Sequence, residues 1–226
     1  MNFIVSDLAR DIRIALDSNN VSTQLFDISD VDTLTLEEII RSKIADAVRL
    51  VELNAPYHLL DGGTVFPSAS EVITWESQPG YGPGSVILPE DFLRLVCFKM
   101  TDWERTVYEP IDETSPLYSV QRSRFGGVRG NPQKPVVAIV NRSTGLNLEF
   151  YSCNSNPAAS VAMASYIKVP AFFQEQQESG IYVEKIAICE KLKPAVVYYA
   201  AYLVAQSIGE GDKAAALLNA SNSLMQ

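Results

Sequence analysis

Apolar residues near the start of the chain recur at helical spacing, with charged residues between them. Leu8 and its apolar neighbours repeat every four residues, which predicts a first helix over 5–17. A second helix is predicted to begin after Thr35, because Thr35 and Glu38 have the spacing of a capping box. Pro56 is expected to end it, since proline breaks the helical hydrogen-bond ladder.

The C-terminal part of the chain returns to a helical pattern. The stretch from Pro194 to Gly209 is apolar nearly all round, which predicts a helix buried on more than one side. Pro194 suits the first turn and Gly209 suits a C-terminal cap. A shorter, weakly amphipathic helix is predicted over 212–224.

The middle of the chain has a different pattern, with short β-branched and aromatic runs separated by Gly- and Pro-rich turns. This favours an antiparallel sandwich or small barrel over alternating βαβ units. The predicted strands are 64–66, 71–75, 85–88, 92–100, 105–108, 135–140, 146–151, 165–169 and 181–188.

These elements together predict an α+β fold. We expect the N-terminal helices of residues 1–60 to pack against the C-terminal helical pair of residues 189–226 and complete one helical domain. Residues 61–188 are then a β-rich insertion between the two helical parts.

Composition narrows the class of protein. The 226 residues are 47% hydrophobic and 20% charged, enough to form a core, and the net charge of −9 argues against a wide nucleic-acid-binding face. Three separated cysteines without a CxxC pair fit a protein made in a reducing cytoplasm, without disulfides or zinc. The charged N-terminus does not resemble a signal peptide, and no apolar run is long enough to span a membrane.

Candidate catalytic residues are few. The single histidine, His58, has no nucleophile motif near it and is best interpreted as a turn or surface residue. Asp27, Asp30 and Asp32 lack the spacing and the glycine of a calcium loop. The adjacent acids Glu37-Glu38 and Glu90-Asp91 fit a helix start and a turn. We therefore expect no catalytic residue, no metal site and no cofactor.

Residues 119–142, here called the basic segment, are the exception to this ordinary pattern. They carry five basic residues and no acidic one in an otherwise acidic chain: Arg122, Arg124, Arg129, Lys134 and Arg142. One interpretation is a solvated hairpin tip. The other is a flexible contact arm, whose charges are uncompensated and attract an acidic partner surface or a phosphate backbone.

Several motifs resemble those of phage head–tail connector proteins of the adaptor, ring and tail tubular protein A types. The segment ILPEDFLRLVCFKMTDWERTVYEP has their Leu-Pro strand end, acidic turn, Leu-rich strand and following Trp, through Leu88, Pro89, Asp91, Phe92, Leu93, Leu95 and Trp103. In the same order as in that family come EEIIRSKIADAVRLVELNAP, this segment, NPQKPVVAIVNRSTGLNLEFYSC, ASYIKVP and LKPAVVYYAAYLVAQSIGEGDKAAAL. The resemblance covers most of residues 36–220, but not residues 67–84. The chain is also similar to ring proteins of crAss-like phages.

The resemblance implies a structural protein of the virion and not an enzyme. About twelve copies would form a ring below the portal, in contact with the portal and further neck or tail proteins. DNA would pass through the ring without specific binding, and no membrane would be involved. The protein would be made in the bacterial cytoplasm and reside in the head–tail neck. Arg122, Arg124, Arg129 and Lys134 would then form an arm that binds the portal, a neighbouring subunit or DNA.

Two other classes stay open on the residues alone. One is a different virion component, such as a tail completion or fibre-attachment protein. The other is a small-ligand-binding β-sandwich or an enzyme, which would need a pocket with convergent polar groups.

Overall fold

The computed structural model describes residues 1–16, 35–66, 73–75, 84–143, 145–151, 160–176 and 180–226. Helices and mainly antiparallel sheets confirm the predicted α+β class. The aspartates of the weak calcium pattern, Asp27, Asp30 and Asp32, lie outside the described residues, as do Cys153 and the first two residues of the predicted strand 71–75.

The elements follow one another in chain order. They are β1 (Asn2–Ile4), α1 (Val5–Ala15), α2 (Leu36–Asn54), β2 (Thr64–Val65), β3 (Thr74–Trp75), β4 (Gly84–Ile87), β5 (Phe92–Met100), β6 (Ile111–Asp112), α3 (Pro116–Val120), β7 (Val137–Arg142), β8 (Gly145–Phe150), β9 (Val161–Lys168), β10 (Phe172–Gln176), β11 (Tyr182–Ala187), α4 (Lys193–Ser207) and α5 (Gly211–Ser223). Short 3-10 turns at Tyr57–Leu59 and Glu190–Leu192 follow α2 and precede α4.

The chain divides into two compact units. The helical unit contains Met1–Asp61 and Val169–Gln226, and the β unit contains Gly62–Lys168. This division differs from the predicted one in residues 169–188, which the sequence pattern placed in the β-rich insertion. They join the helical unit because β11 pairs on one side with β1 and on the other with β10, both antiparallel.

Helix α4 is the centre of the helical unit, where α1, α2 and α5 all pack against it. Its buried residues are small, which lets three neighbouring helices approach closely: Ala195, Val196, Val197, Ala200, Ala201, Val204 and Ala205. Helix α2 contributes a fully buried stripe of Ile40, Ile44, Ala47, Val48 and Val51. The prediction that the apolar C-terminal stretch is buried on more than one side is confirmed, because α4 contacts α1, α2 and α5.

The start of α2 follows the predicted capping box. The Thr35 backbone N–H donates to a Glu38 carboxylate oxygen at 2.7 Å, and the Glu38 N–H donates to the Thr35 hydroxyl at 3.3 Å. These hydrogen bonds from Thr35 lower the pKa of the Glu38 carboxyl. Four residues of local sequence therefore suffice to fix where this helix begins.

The described strands of the β unit form two sheets, in the orders β2-β9-β5 and β3-β4-β8-β7-β6. Side chains of both sheets meet in one buried cluster: Phe66, Val86, Leu88, Leu95, Phe98, Met100, Trp103, Val137, Leu148, Phe150, Ala164 and Tyr166. Gly84 lies against the Phe150 ring of this cluster, and a Cβ at this position would overlap that ring. Whether the two sheets form a sandwich or a small barrel stays a prediction.

The β unit departs from the sequence predictions in two strands and in the burial of one residue. The expected strand at 105–108 is reduced to a single bridge between Val107 and Phe98. The short strand β6 takes a place at the sheet edge instead, and it runs parallel to β7, so the sheet is not purely antiparallel. Leu95 and Trp103 are buried as predicted, whereas Leu93 is only partly buried.

Helix α2 also carries a buried acid. The Glu52 side chain is 4% exposed, and its carboxylate accepts the backbone N–H of Cys189 at 3.3 Å. Burial raises the pKa of the Glu52 carboxyl, an effect that the Cys189 hydrogen bonds only partly offset. A carboxyl whose pKa rises on folding holds its proton more tightly in the folded state, so its ionisation at higher pH destabilises the fold.

We expect Glu52→Gln to become more favourable for stability, relative to the parent chain, as pH rises from about 4 to about 8. The reason is that glutamine keeps a carbonyl oxygen for the Cys189 N–H but has no charge to bury. Melting temperatures across this pH range measure the effect, and we expect the difference to shift by about 2 °C. Glu37→Gln, at an exposed position on the same helix, is the control. A difference that stays flat with pH would contradict the account of Glu52.

We expect Ala201→Leu to destabilise the helical unit by about 1–3 kcal/mol, because Ala201 is 0% exposed and a larger side chain overpacks the α4 contacts. The measurement is denaturant unfolding of the full chain. Gln206→Leu, at an exposed position of the same helix, is the matched control and should change stability by less than about 0.5 kcal/mol. Equal effects of the two substitutions would refute the central position of α4.

Candidate functional site

The basic segment is folded in the structure. It was predicted to be a flexible stretch between two strands, and it instead connects a helix to a strand. It begins within helix α3 and ends in strand β7. The buried Gln121 closes the loop between them, because its amide donates to the Leu117 carbonyl at 3.0 Å and accepts the Gly130 N–H at 2.7 Å. Arg129 ties the loop to the end of β8 by donating to the Tyr151 carbonyl at 2.8 Å.

A second brace lies on the C-terminal side of the loop. The Asn131 amide donates to the Gly126 carbonyl at 3.2 Å. Its oxygen accepts the backbone N–H groups of Gln133 and Lys134, each at 3.0 Å. The two amide side chains, Gln121 and Asn131, therefore hold the loop from both ends.

The braced loop exposes a mixed basic and apolar tip, which we call the loop tip: Arg124, Phe125, Val128 and Lys134. Phe125 and Val128 are 60% and 59% exposed and share one turn, in which the Val128 N–H donates to the Phe125 carbonyl. The Arg124 guanidinium lies 5.0 Å from the centre of the Phe125 ring, within the range of a cation–π contact. Exposed aromatic and arginine side chains of this kind are typical of protein–protein contacts.

A buried carboxylate lies behind the loop, on the face of β8 that points away from the core. Glu149 is only 6% exposed. One carboxylate oxygen accepts the Nε–H of Arg142 at 3.0 Å and a second N–H of the same guanidinium. The other accepts the hydroxyls of Tyr151 and, at 3.3 Å, Tyr118. The Tyr118 hydroxyl in turn accepts an Arg142 N–H at 3.0 Å, which closes the network.

The network shifts the pKa values of Glu149, Arg142 and Tyr151. Burial alone would raise the pKa of the Glu149 carboxyl, but hydrogen bonds from Tyr151 and Arg142 and the charges of Arg142 and Arg122 outweigh it and lower the pKa. The hydrogen bond with Glu149 raises the pKa of Arg142. Burial and the Glu149 hydrogen bond raise the pKa of the Tyr151 phenol. At neutral pH the network therefore holds the Glu149 carboxylate, the Arg142 guanidinium and the neutral Tyr151 phenol.

A cavity of about 370 Å³ opens beside this network. We call it the arginine pocket, and it is lined by Thr74, Ser85, Ile87, Arg122, Arg142, Asn147 and Glu149. Arg122 stands at its rim with about half of its side chain exposed, 3.9 Å from the Glu149 carboxylate. Residues of the basic segment and residues of strands β4 and β8 therefore line the same pocket.

The structure separates the four predicted arm residues into different environments. Arg124 and Lys134 are exposed at the loop tip, and Arg122 lines the arginine pocket. Arg129 is half-buried and hydrogen-bonded to backbone. The expectation that the charges of the basic segment are uncompensated is wrong for Arg122, as it is for Arg142, because Glu149 pairs with both.

Sequence reasoning missed the residues that complete the site, above all Glu149. A signal for it exists in the alternation of β8, where Leu148 and Phe150 are fully buried in the core and Glu149 points to the other face. An acid in such a strand, next to a segment with only bases, is a candidate ion-pair partner. Tyr118 and Tyr151 carried no comparable signal.

The other candidates from the sequence lie apart from this site. His58 is exposed in the 3-10 turn that follows α2. Glu90 and Asp91 occupy the turn before β5, in which the Phe92 N–H donates to the Pro89 carbonyl. Within the described ranges, no three His, Cys, Asp or Glu residues come together as metal ligands. None of the described helices is both long and apolar enough to cross a membrane.

Comparison with known proteins does not add a family assignment. No protein-family model matches the chain, and no curated protein matches it either.

We expect Glu149→Gln to destabilise the β unit by about 1–3 kcal/mol at neutral pH, because the Arg142 and Tyr151 donors lose a charged acceptor. The pKa of Glu149 is lowered on folding, so its stabilising effect is present above the ordinary carboxyl pKa and is lost as pH falls. Chemical unfolding at about pH 7 and about pH 4 measures this loss. The penalty should shrink in acid, opposite to the trend for Glu52→Gln, and a penalty independent of pH would count against the charged network.

Proposed function

We propose that the protein is a non-enzymatic structural subunit of a phage head–tail connector, which docks on its partners through the loop tip. The observation that carries the proposal is the braced loop itself, because it presents Arg124, Phe125 and Val128 to solvent on a fixed support. The motifs shared in order with head–tail connector proteins supply the class of assembly.

Bracing favours docking for an energetic reason. Ordering a flexible loop on binding costs about 0.5–1.5 kcal/mol for each immobilised side chain. Hydrogen bonds of Gln121, Asn131 and Arg129 hold this loop in the free chain, so much of that cost has already been met on folding. The exposed arginine and aromatic side chains can then contribute directly to affinity.

The charge distribution supports assembly into a ring. Subunits of a ring make heterologous contacts, so each copy needs two different and complementary surfaces. The basic segment is one candidate surface, and the acid-rich first part of the chain, where residues 61–93 carry five acids and no base, offers the opposite charge. We propose about twelve copies below a portal protein, as in the family that the motifs resemble.

Passage of DNA through the ring agrees with the net charge. A net charge of −9 opposes adhesion of a phosphate backbone, which suits a channel through which DNA moves. We propose that DNA moves through the ring without specific binding and that the protein resides in the virion neck after synthesis in the bacterial cytoplasm. The basic loop tips would then face protein partners and not the channel.

We expect the double variant Arg124→Glu and Lys134→Glu to weaken assembly at least about tenfold, because it reverses both charges of the loop tip. Native mass spectrometry of the purified chain, alone and with the portal protein of the same phage genome, measures the complexes. The melting temperature should stay within about 2 °C of the parent value, since both side chains are exposed.

The double variant Arg49→Glu and Arg105→Glu makes the same change in net charge at exposed positions outside the basic segment and is the matched control. It should assemble like the parent chain. A parent protein that stays monomeric with and without portal protein would refute the connector proposal, and equal assembly by both double variants would refute the loop tip as its docking surface.

A further inference from the structure

We infer that the three-stranded sheet of the helical unit joins neighbouring copies of this chain, through pairing of the free edge of β10 in one copy with the free edge of β1 in the next. The inference rests on the proposed ring, and it names the surfaces that hold the copies of that ring together. Its basis is the direction in which the backbone groups of the two edge strands point.

The sheet has the order β1-β11-β10, so β1 and β10 are its two edges. Within the part of the chain that the structure describes, each of them pairs only with β11. An edge strand presents backbone N–H and C=O groups that a further strand can bind. The two edges lie on opposite sides of one sheet, so each copy offers a different edge to each of two neighbours, as a ring requires.

The backbone groups of β1 that point outward follow from its ladder with β11. In an antiparallel pair, residues that bond across the pair alternate with residues whose backbone groups face away. The Met1 nitrogen donates to the Ile188 carbonyl at 2.8 Å, and the Ile188 N–H donates to the Met1 carbonyl at 2.9 Å. The register continues from this pair without a shift, so Asn2 and Ile4 point their backbone groups away from β11.

The same alternation determines which groups of β10 point outward. Residues of β11 bond alternately toward β1 and toward β10, and Lys185 and Val183 bond toward β10. Their register partners in β10 are Phe173 and Glu175. The N–H and C=O of Gln174, the middle residue of β10, therefore point away from the sheet.

The outward groups of the two edges match those of a parallel ladder. Both strands run antiparallel to β11, so β1 and β10 have the same direction, and a modest rotation between adjacent copies keeps them parallel. In that ladder the Gln174 N–H donates to the Asn2 carbonyl of the next copy, and the Gln174 carbonyl accepts the Ile4 N–H. Since β1 has three residues, each junction contains about three hydrogen bonds, and the ring is stabilised by their sum.

Neither edge carries the charges, prolines or bulges that normally block strand pairing. Strands β1 and β10 contain no proline and no basic residue, and neither has a shift in its register with β11. The one charged side chain, Glu175, is paired with Lys185 of the same sheet at 2.7 Å. The long edge strand β5 of the β unit differs, because it carries Arg94 and Lys99 and its ladder has three register shifts.

A proline at position 174 tests the β10 edge in the full-length chain. Gln174→Pro removes an N–H that points outward and keeps the bonds of β10 to β11, whereas Gln174→Ala retains that N–H and is the matched control. We expect Gln174→Pro to weaken self-association about tenfold and Gln174→Ala to leave it unchanged. Analytical ultracentrifugation measures self-association of the chain alone and with the portal protein encoded in the same genome, and melting temperatures check folding.

The β1 edge is tested in the same way by Asn2→Pro, with Asn2→Ala as its control. At a concentration where both proline variants are monomeric, we expect their equimolar mixture to form a one-to-one complex, because one open β10 edge and one open β1 edge remain. Native mass spectrometry measures this complex. Pairing of β10 with β10 of a second copy would instead let Asn2→Pro associate by itself.

Hydrogen exchange of the parent chain tests the junction without a substitution. In the assembled protein, the N–H groups of Gln174 and Ile4 should exchange at least about tenfold more slowly than in the dilute monomer. The Glu175 N–H bonds to β11 in both states and is the internal control. This measurement keeps the inference testable if a proline variant does not fold.

Three outcomes would overturn the inference: assembly of Gln174→Pro equal to that of Gln174→Ala, self-association of Asn2→Pro where Gln174→Pro is monomeric, or equally fast exchange of the Gln174 N–H in assembled and dilute protein. Each of them occurs in a chain that still assembles, and so refutes this inference alone. A parent chain that stays monomeric with and without portal protein refutes the proposed connector function, and the junction with it.

Discussion

The buried carboxylate of Glu149 is the constraint on which the candidate site depends. A charged group with 6% exposure is tolerated in a protein only when it is paired and hydrogen-bonded, and the chain meets this requirement with Arg142, Tyr118 and Tyr151. These partners come from β7, from α3 and from the end of β8. The hydrogen bond from Tyr118 to Glu149 therefore holds helix α3 against the outer face of the sheet. The loop of the basic segment starts from that helix, so the acid also determines where the loop begins.

The same arrangement explains why the basic segment is partly a structural element and partly a surface. Its charges nearest the sheet pair with Glu149, and its middle carries the loop tip, which the side chains of Gln121, Asn131 and Arg129 hold in place. This division gives a rigid base and an exposed contact region within one short stretch of chain. The helical unit has its own support, since α4 contacts three helices and the sheet β1-β11-β10 ties the start of the chain to β11.

The sequence predicted correctly those helices and strands that depend on residues close together in the chain. The capping box at Thr35 and the burial of α4 follow from residues within one helix, and the strands around Leu95 and Leu148 follow from apolar runs. Strands β1 and β10 were not predictable in this way, because one has three residues and the other is largely exposed, and both form only by pairing with β11. The site was missed for a related reason: Glu149, the acid that pairs with Arg122, lies in β8, just outside the basic segment, so the segment looked uncompensated when read alone.

We propose that the loop tip of the basic segment is a docking surface of an assembled connector. A cryo-electron microscopy map of the protein in complex with a portal protein encoded in the same genome tests this proposal most directly. We predict density for a second polypeptide in contact with Phe125 and Arg124 in every copy of the ring. A map in which the chain forms no ring, or in which these side chains face solvent in every copy, would contradict it.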